Sequence, residues 1–159
     1  MGALDHRNVR AVVEGGAALG VEVQPVEFPD GTRTADDAAA AIGVSVGQIV
    51  KSMVFLVDGE PVVALVSGAN RVDEAKLAKA AGGSASTRPD AKVVRAATGF
   101  PIGGIPPFGY PSPLPTFVDE DLLVHDVVWA ACGMPHVNFA ASPADLVRAT
   151  DAVVSDVRA

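Results

Sequence analysis

The stretch Gln48-Ile-Val-Lys-Ser-Met-Val-Phe-Leu-Val-Asp-Gly-Glu-Pro-Val-Val-Ala-Leu-Val-Ser67 decides the fold. Residues 52–57 and 61–67 are apolar, largely β-branched runs. Asp58-Gly59 between them is the pair a two-residue hairpin turn favours, because both positions need positive φ. An antiparallel hairpin therefore sits inside a chain that otherwise mixes strands with helices. On the N-terminal side, Val9, Val12, Val13 and Leu19 recur at helical spacing over 6–19, and Gly20 stops the run. Residues 21–28 alternate like a strand and Pro29-Asp30-Gly31 turns the chain. Thr34 then caps a helix with Asp36 and Asp37 in its first turn and Gly43 at its end. Ser45-Val-Gly-Gln48 is a capping box that leads into the hairpin.

On the C-terminal side, 73–81 reads as a helix ended by Gly82-Gly83. Residues 89–97 read as another, with Pro89 at its first position and Gly99 beyond it. Glycine and proline crowd 99–115. Strands are expected at 127–131 and 137–141, around Gly133-Met-Pro135. Ser142 caps a last helix with Pro143 at its first position, and 152–157 reads as a final strand. No repeat or linker divides the sequence, so 1–159 reads as one domain. The expected class is α/β, with a mixed, partly antiparallel sheet surrounded by helices rather than a doubly wound parallel one.

The 159 residues are 49% apolar and 19% charged, enough aliphatic content for a sizeable core and too much for a disordered chain. Only 5% are aromatic, which excludes a repeated stacking platform for nucleic acid. A single cysteine, Cys132, excludes an internal disulfide and a four-cysteine zinc site. No apolar leader opens the chain and no apolar run is long enough to span a membrane, so a soluble, cytoplasmic protein is expected. The net charge of −7 argues against sequence-blind DNA binding. Residues 71–95 depart from that balance: Arg71, Lys76, Lys79, Arg88, Lys92 and Arg95 face only Asp73, Glu74 and Asp90. Two readings stand, solvated helix faces or a docking patch for a polyanion such as RNA.

Lys51 lies inside the apolar run of the hairpin. Such a lysine either snorkels to solvent or is a fixed cation at a pocket rim, bonding a phosphate or carbonyl oxygen. The loop Gly99-Phe-Pro-Ile-Gly-Gly-Ile-Pro-Pro-Phe-Gly109 is the second candidate. Its glycines admit close approach of a ligand, Pro106-Pro107 stiffens it, and the amides of Gly104 and Ile105 could converge on one carbonyl oxygen. A side chain at Gly103 or Gly104 would then intrude on the pocket. The alternative is an ordered surface loop without ligand. Ser67-Gly-Ala-Asn70 reads as a turn, and Ser67 lacks the partners of a serine triad. His6, His125 and His136 lack metal-ligand spacing, so neither metal nor cofactor is expected. Cys132, beside Trp129, reads as a buried inert thiol. Asp119-Glu-Asp121 reads as the first turn of a short helix.

Taken in order, these pieces resemble the YbaK and prolyl-tRNA-synthetase-associated editing domains. The residues carrying the likeness are 34–43, Gln48-Ile-Val-Lys51-Ser, Val66-Ser-Gly68, 73–77, Gly103-Gly-Ile-Pro-Pro-Phe-Gly109, Asp119-Glu-Asp-Leu122, Trp129-Ala-Ala-Cys-Gly133 and Ser142-Pro-Ala-Asp-Leu146. The resemblance implies a barrel-like sheet and a trans-acting deacylase that hydrolyses the ester of mischarged tRNA bearing a small amino acid. It implies that Lys51 meets the terminal adenosine and that the loop from Gly103 and Gly104 through Ile105, Pro106 and Pro107 holds the aminoacyl carbonyl. Ser67 and Asn138 fall at substrate-side positions, and the acceptor end of tRNA is the implied partner. Ala131 stands where some members carry serine, and Asn138 where some carry an acid, which points away from the cysteine-specific class. The competing readings are a non-catalytic RNA- or nucleotide-binding module of the same fold and a small-molecule sensor. Retention of Lys51 and of the Gly-x-x-x-Pro loop favours turnover.

Overall fold

Asp58 and Gly59 both take positive φ, 50° and 86°, and fold β2 (Val50–Val57) back onto β3 (Glu60–Ser67). The pair is in antiparallel register from Val50 opposite Ser67 to Val57 opposite Glu60. Asp58 is locked in place because its carboxylate accepts from the Ser84 and Ala85 amides. This computed structural model describes residues 2–32 and 34–159.

Around the hairpin, β4 (Ser86–Thr87) pairs with β2, and β5 (Thr116–Asp119) runs parallel to β3, followed by β8 (Val153–Ser155) parallel to β5. A second sheet holds β1 (Val26–Glu27), β7 (Val137–Ala141) and β6 (Val128–Met134), all antiparallel neighbours. The mixed sheet is as expected, but the barrel is not: these are two open sheets of five and three strands. They touch at one parallel bridge, Ile49 with Trp129, beyond which β2 and β6 are not hydrogen-bonded. The two-residue strands β1 and β4 are too short to close the ends.

The apolar runs of β2 and β3 are continuous because both faces of the hairpin are covered. Val50, Val54, Val63 and Leu65 join the main core with Val9 and Val12 of α1 (Arg7–Ala18), Phe108, Phe139 and Leu146 of α5 (Pro143–Thr150). Phe55, Val62, Ala64 and Val66 pack on the opposite side against Leu77 and Ala78 of α3 (Glu74–Ala80). A small third cluster seats α2 (Ala35–Ile42) on Ile49 and Trp129.

Several boundaries differ from expectation. The strand expected over 21–28 shrinks to Val26–Glu27, since only those residues find a partner, in β7. Val21 and Val23 are buried without joining a ladder. Asp73 and Asp90 are caps, accepting from Lys76 and Val93 amides, so α3 starts at Glu74 and α4 (Ala91–Thr98) at Ala91 rather than Pro89. Thr34 and Ser142 cap as expected, with Pro143 opening α5. No helix among the described residues is long and apolar enough to cross a membrane.

Candidate active site

Strand β2 alternates its side chains between two adjoining clefts. Val50, Ser52 and Val54 belong to a cleft of about 280 Å³ bounded across the gap between the sheets by Ala131 and Asn138. Phe55, with Lys51 and Met53, lines a second space of about 310 Å³ that also receives Arg71 and Arg88. Lys51, Met53 and Arg88 line both and form the ridge between them. The first cleft is closed by Ala35 and Ala38 of α2, Val94 of α4 and the glycine loop through Ile102, Gly103 and Ile105. Its charged lining among the described residues is Lys51 and Arg88, with no carboxylate, histidine or cysteine.

Lys51 is held rather than left to snorkel. Its Nζ donates to the Asn70 carbonyl. Asn70 is fixed in turn by its Nδ2, which donates to Asp119 and to Asp121, each at 2.8 Å. Asp119 is fully buried at the end of β5 and also accepts from the Ser67 amide (3.1 Å) and the Asp121 amide (2.9 Å). Burial, and then the nearby Arg71 charge, push the Lys51 pKa below the ordinary lysine value; Arg88 adds to this and Asp119 opposes it. Neither arginine forms an ion pair among the described residues, and Arg88 stacks over the Phe55 ring at 5.4 Å. Three cations thus converge on the second cleft, where Glu74 is the one carboxylate in the lining among the described residues, an arrangement suited to an anion.

The glycine loop differs from expectation in one respect. The Gly104 N–H donates to Pro101 O at 3.0 Å and is spent, whereas the amides of Gly103 and Ile105, like those of Ile102, Phe108 and Gly109, have no acceptor among the described residues. A Cβ on Gly104 would meet Gly133 C, Gly133 O and Met134 Cα at 3.0 Å, so this glycine serves packing against the end of β6 rather than space in the cleft. Gly103 is exposed at φ +93°, and a Cβ there would come no nearer to another residue than 3.9 Å, at Pro135 Cγ. Pro106 and Pro107 are buried behind the lining, and Pro106 O accepts from the Tyr110 hydroxyl at 2.6 Å, bracing the loop.

Of the residues singled out in the sequence, Lys51, Gly103, Ile105 and Asn138 meet at the first cleft, whereas Gly104, Pro106 and Pro107 support it. Ser67 is not in the lining: it is buried and its Oγ donates to Gly47 O at 2.9 Å, tying the turn that carries Asn70. Sequence reasoning did not find Ser52, Thr32, Thr34 or the bracing role of Asp119. For Asp119 the signal was available, a carboxylate ending an apolar strand run. In the basic stretch, Lys76 pairs with Asp156 at 3.1 Å, while Arg71 and Arg88 reach the clefts. Cys132 is buried in β6, and burial pushes its thiol up to about 12.

The chain is similar to known proteins along most of its length. The profile of the aminoacyl-tRNA editing domain matches residues 29–149. A crystal structure described as a proposed trans-editing enzyme for prolyl tRNA synthetase superposes with a TM-score of 0.91 at 42% identity, covering 97% of this chain and 98% of that one. A proposed Cys-tRNA(Pro)/Cys-tRNA(Cys) deacylase of Enterococcus faecalis, EbsC, is 26% identical over 125 residues, 78% of this chain and 76% of that protein. The proline–tRNA ligase of Nitratidesulfovibrio vulgaris strain DP4 is 36% identical over 92 residues, 58% of this chain but 16% of the ligase, so the likeness there is confined to a small part of a much longer protein. With the profile spanning most of the sequence and the fold shared along nearly its whole length, the chain belongs to the aminoacyl-tRNA editing domain family.

Proposed function

We propose that this protein is a trans-acting aminoacyl-tRNA deacylase, hydrolysing the ester that joins a small amino acid to the acceptor end of tRNA. The observation that carries the reading is one apolar cleft in which a fixed cation, Lys51, shares the lining with two loop residues, Gly103 and Ile105, whose amides are free. Among the described residues the lining contains no histidine, cysteine or carboxylate, so the chemistry falls to orientation and electrostatics. The ester carbonyl accepts from the Gly103 and Ile105 amides, a water oxygen attacks the carbonyl carbon, the acyl carbon–oxygen bond breaks, and the ribose oxygen leaves with a proton from that water. An aminoacyl ester is activated enough for such help to suffice. One oriented amide is worth roughly 10²–10³ in rate. Lys51 and Arg88, on the ridge between the clefts, hold the terminal nucleotide and its phosphate, and Arg71 extends that surface along the second cleft. The small apolar lining suits a short side chain.

The test is single-turnover deacylation of tRNAs charged with alanine, cysteine, serine and proline. At least one ester is released well above the buffer rate. Binding of the charged tRNAs without release of any would instead establish the non-catalytic binding module.

A further inference from the structure

Ser52 Oγ is, among the described residues, the one fully covered side-chain polar atom without a hydrogen-bond partner. The rest of Ser52 is only half buried and lines the first cleft. An unpaired buried hydroxyl is a standing cost to the folded state, and a serine hydroxyl is re-aimed by rotation of one torsion between staggered wells.

Asn138 lines the same cleft, and its orientation follows from a proton count. Thr32 has one hydroxyl hydrogen, which it donates to the Pro135 carbonyl. Thr32 can therefore only accept from Asn138, and it does so from Nδ2 at 2.7 Å. That leaves Asn138 Oδ1, an acceptor and never a donor, without a partner among the described residues. Asn138 is 5% exposed, so this acceptor belongs to a well-fixed side chain. With no carboxylate in the described lining, Ser52 Oγ and Asn138 Oδ1 are its side-chain acceptors that have no partner among the described residues and can meet a donor on the ligand.

We propose that Ser52 Oγ and Asn138 Oδ1 receive the α-amino group of the bound aminoacyl ester, making Ser52 and Asn138 specificity-determining residues for free α-amino acids. This rests on the cleft being an aminoacyl-ester site. An amine carries enough N–H donors to serve both acceptors at once. An α-hydroxyl carries a single donor, and an N-acylated amine carries one N–H with added bulk, so both leave an acceptor unserved.

The test uses binding and does not read turnover. Calorimetric titration compares 3′-deoxy-3′-(L-alanylamino)adenosine, an amide that cannot be hydrolysed like the ester, with its L-lactyl counterpart. The wild-type protein should bind the alanyl compound at least tenfold more tightly. Ser52→Ala should narrow that gap below threefold by weakening the alanyl compound alone, without lowering the melting temperature, since the hydroxyl it removes had no partner; Asn138→Ala should narrow it likewise. Equal affinity of the wild type for the two compounds, binding of neither, or an undiminished gap in Ser52→Ala would overturn the proposal. So would a fall in melting temperature together with both affinities, which is the mark of a structural serine. A tenfold preference in a protein that hydrolyses no charged tRNA would leave this inference standing and remove the deacylase reading.

Discussion

Replacing Gly104 by alanine puts a Cβ 3.0 Å from each of Gly133 C, Gly133 O and Met134 Cα. All three are backbone atoms at the end of β6, so no side-chain rotation can relieve the clash. The loop and the strand end must separate by a few tenths of an ångström. Gly104 is not among the glycines with positive φ, so the alanine suffers no torsional strain and the cost is steric. Overpacking of this kind costs typically about 1–3 kcal/mol, and at about 3 °C per kcal/mol for a chain of this size the middle of that range lowers the melting temperature by about 6 °C. The displaced segment carries the free amides of Gly103 and Ile105, so deacylation should fall about tenfold with it, because small errors in position at a reacting centre are costly. Thermal melting and single-turnover deacylation on one preparation check both. A Gly104→Ala protein with native melting temperature would refute the packing of this loop on Gly133 and Met134. One with reduced stability and full activity would separate the loop from the chemistry.

Asp119→Asn keeps the shape but sets an NH2 donor either against the Asp121 amide or against the Ser67 amide and Asn70 Nδ2, and should cost roughly 2–3 kcal/mol in urea unfolding together with loss of the Lys51 anchor; a cost under about 0.5 kcal/mol would contradict the bracing role. The Lys51 pKa is lowered in the folded state, chiefly by burial, so between that value and the ordinary 10.5 the unfolded chain binds more protons and stability should rise with pH. Through the same alkaline window deacylation should fall as the cation is lost, whereas a rate flat with pH up to 10.5 would sink the role of the charge. Charge reversal at Arg71 or Arg88 should weaken binding of tRNA and flatten its salt dependence, by about 0.7 in log–log slope for each single-strand phosphate that is no longer neutralised. Reversal at Lys76, already paired with Asp156, should have a smaller effect, and equal effects at all three would return the stretch to a merely solvated face.

The hairpin, the caps and the last helix were legible because each is a local matter: Asp58-Gly59 needs only its own φ angles, and Thr34 and Ser142 need only the next turn. The fate of 21–28 was not legible, since an alternating run becomes a strand only where a neighbour offers hydrogen bonds, and β7 reaches two residues of it. The sheets' failure to close was hidden for the same reason: it depends on where β2 parts from β6 after the Ile49–Trp129 bridge. In the site, Lys51 announced itself as a charge in an apolar run, and the glycine loop by its composition. Which amides of that loop are free depends on the Gly104-to-Pro101 bond, a turn that glycine and proline permit without specifying. Ser52 looked like any small strand residue; only the absence of a partner for its hydroxyl distinguishes it.

The central claim is that the Lys51 cation, in the cleft it shares with Gly103 and Ile105, serves hydrolysis of an aminoacyl ester. Single-turnover deacylation of the best charged tRNA by wild type and by Lys51→Ala, at one pH and salt with melting curves on the same samples, tests it most directly. Release should be at least tenfold slower in the variant, a loss of about 1.4 kcal/mol or more of substrate or transition-state stabilisation, at native melting temperature. A folded Lys51→Ala protein that releases the amino acid at the wild-type rate would contradict the claim.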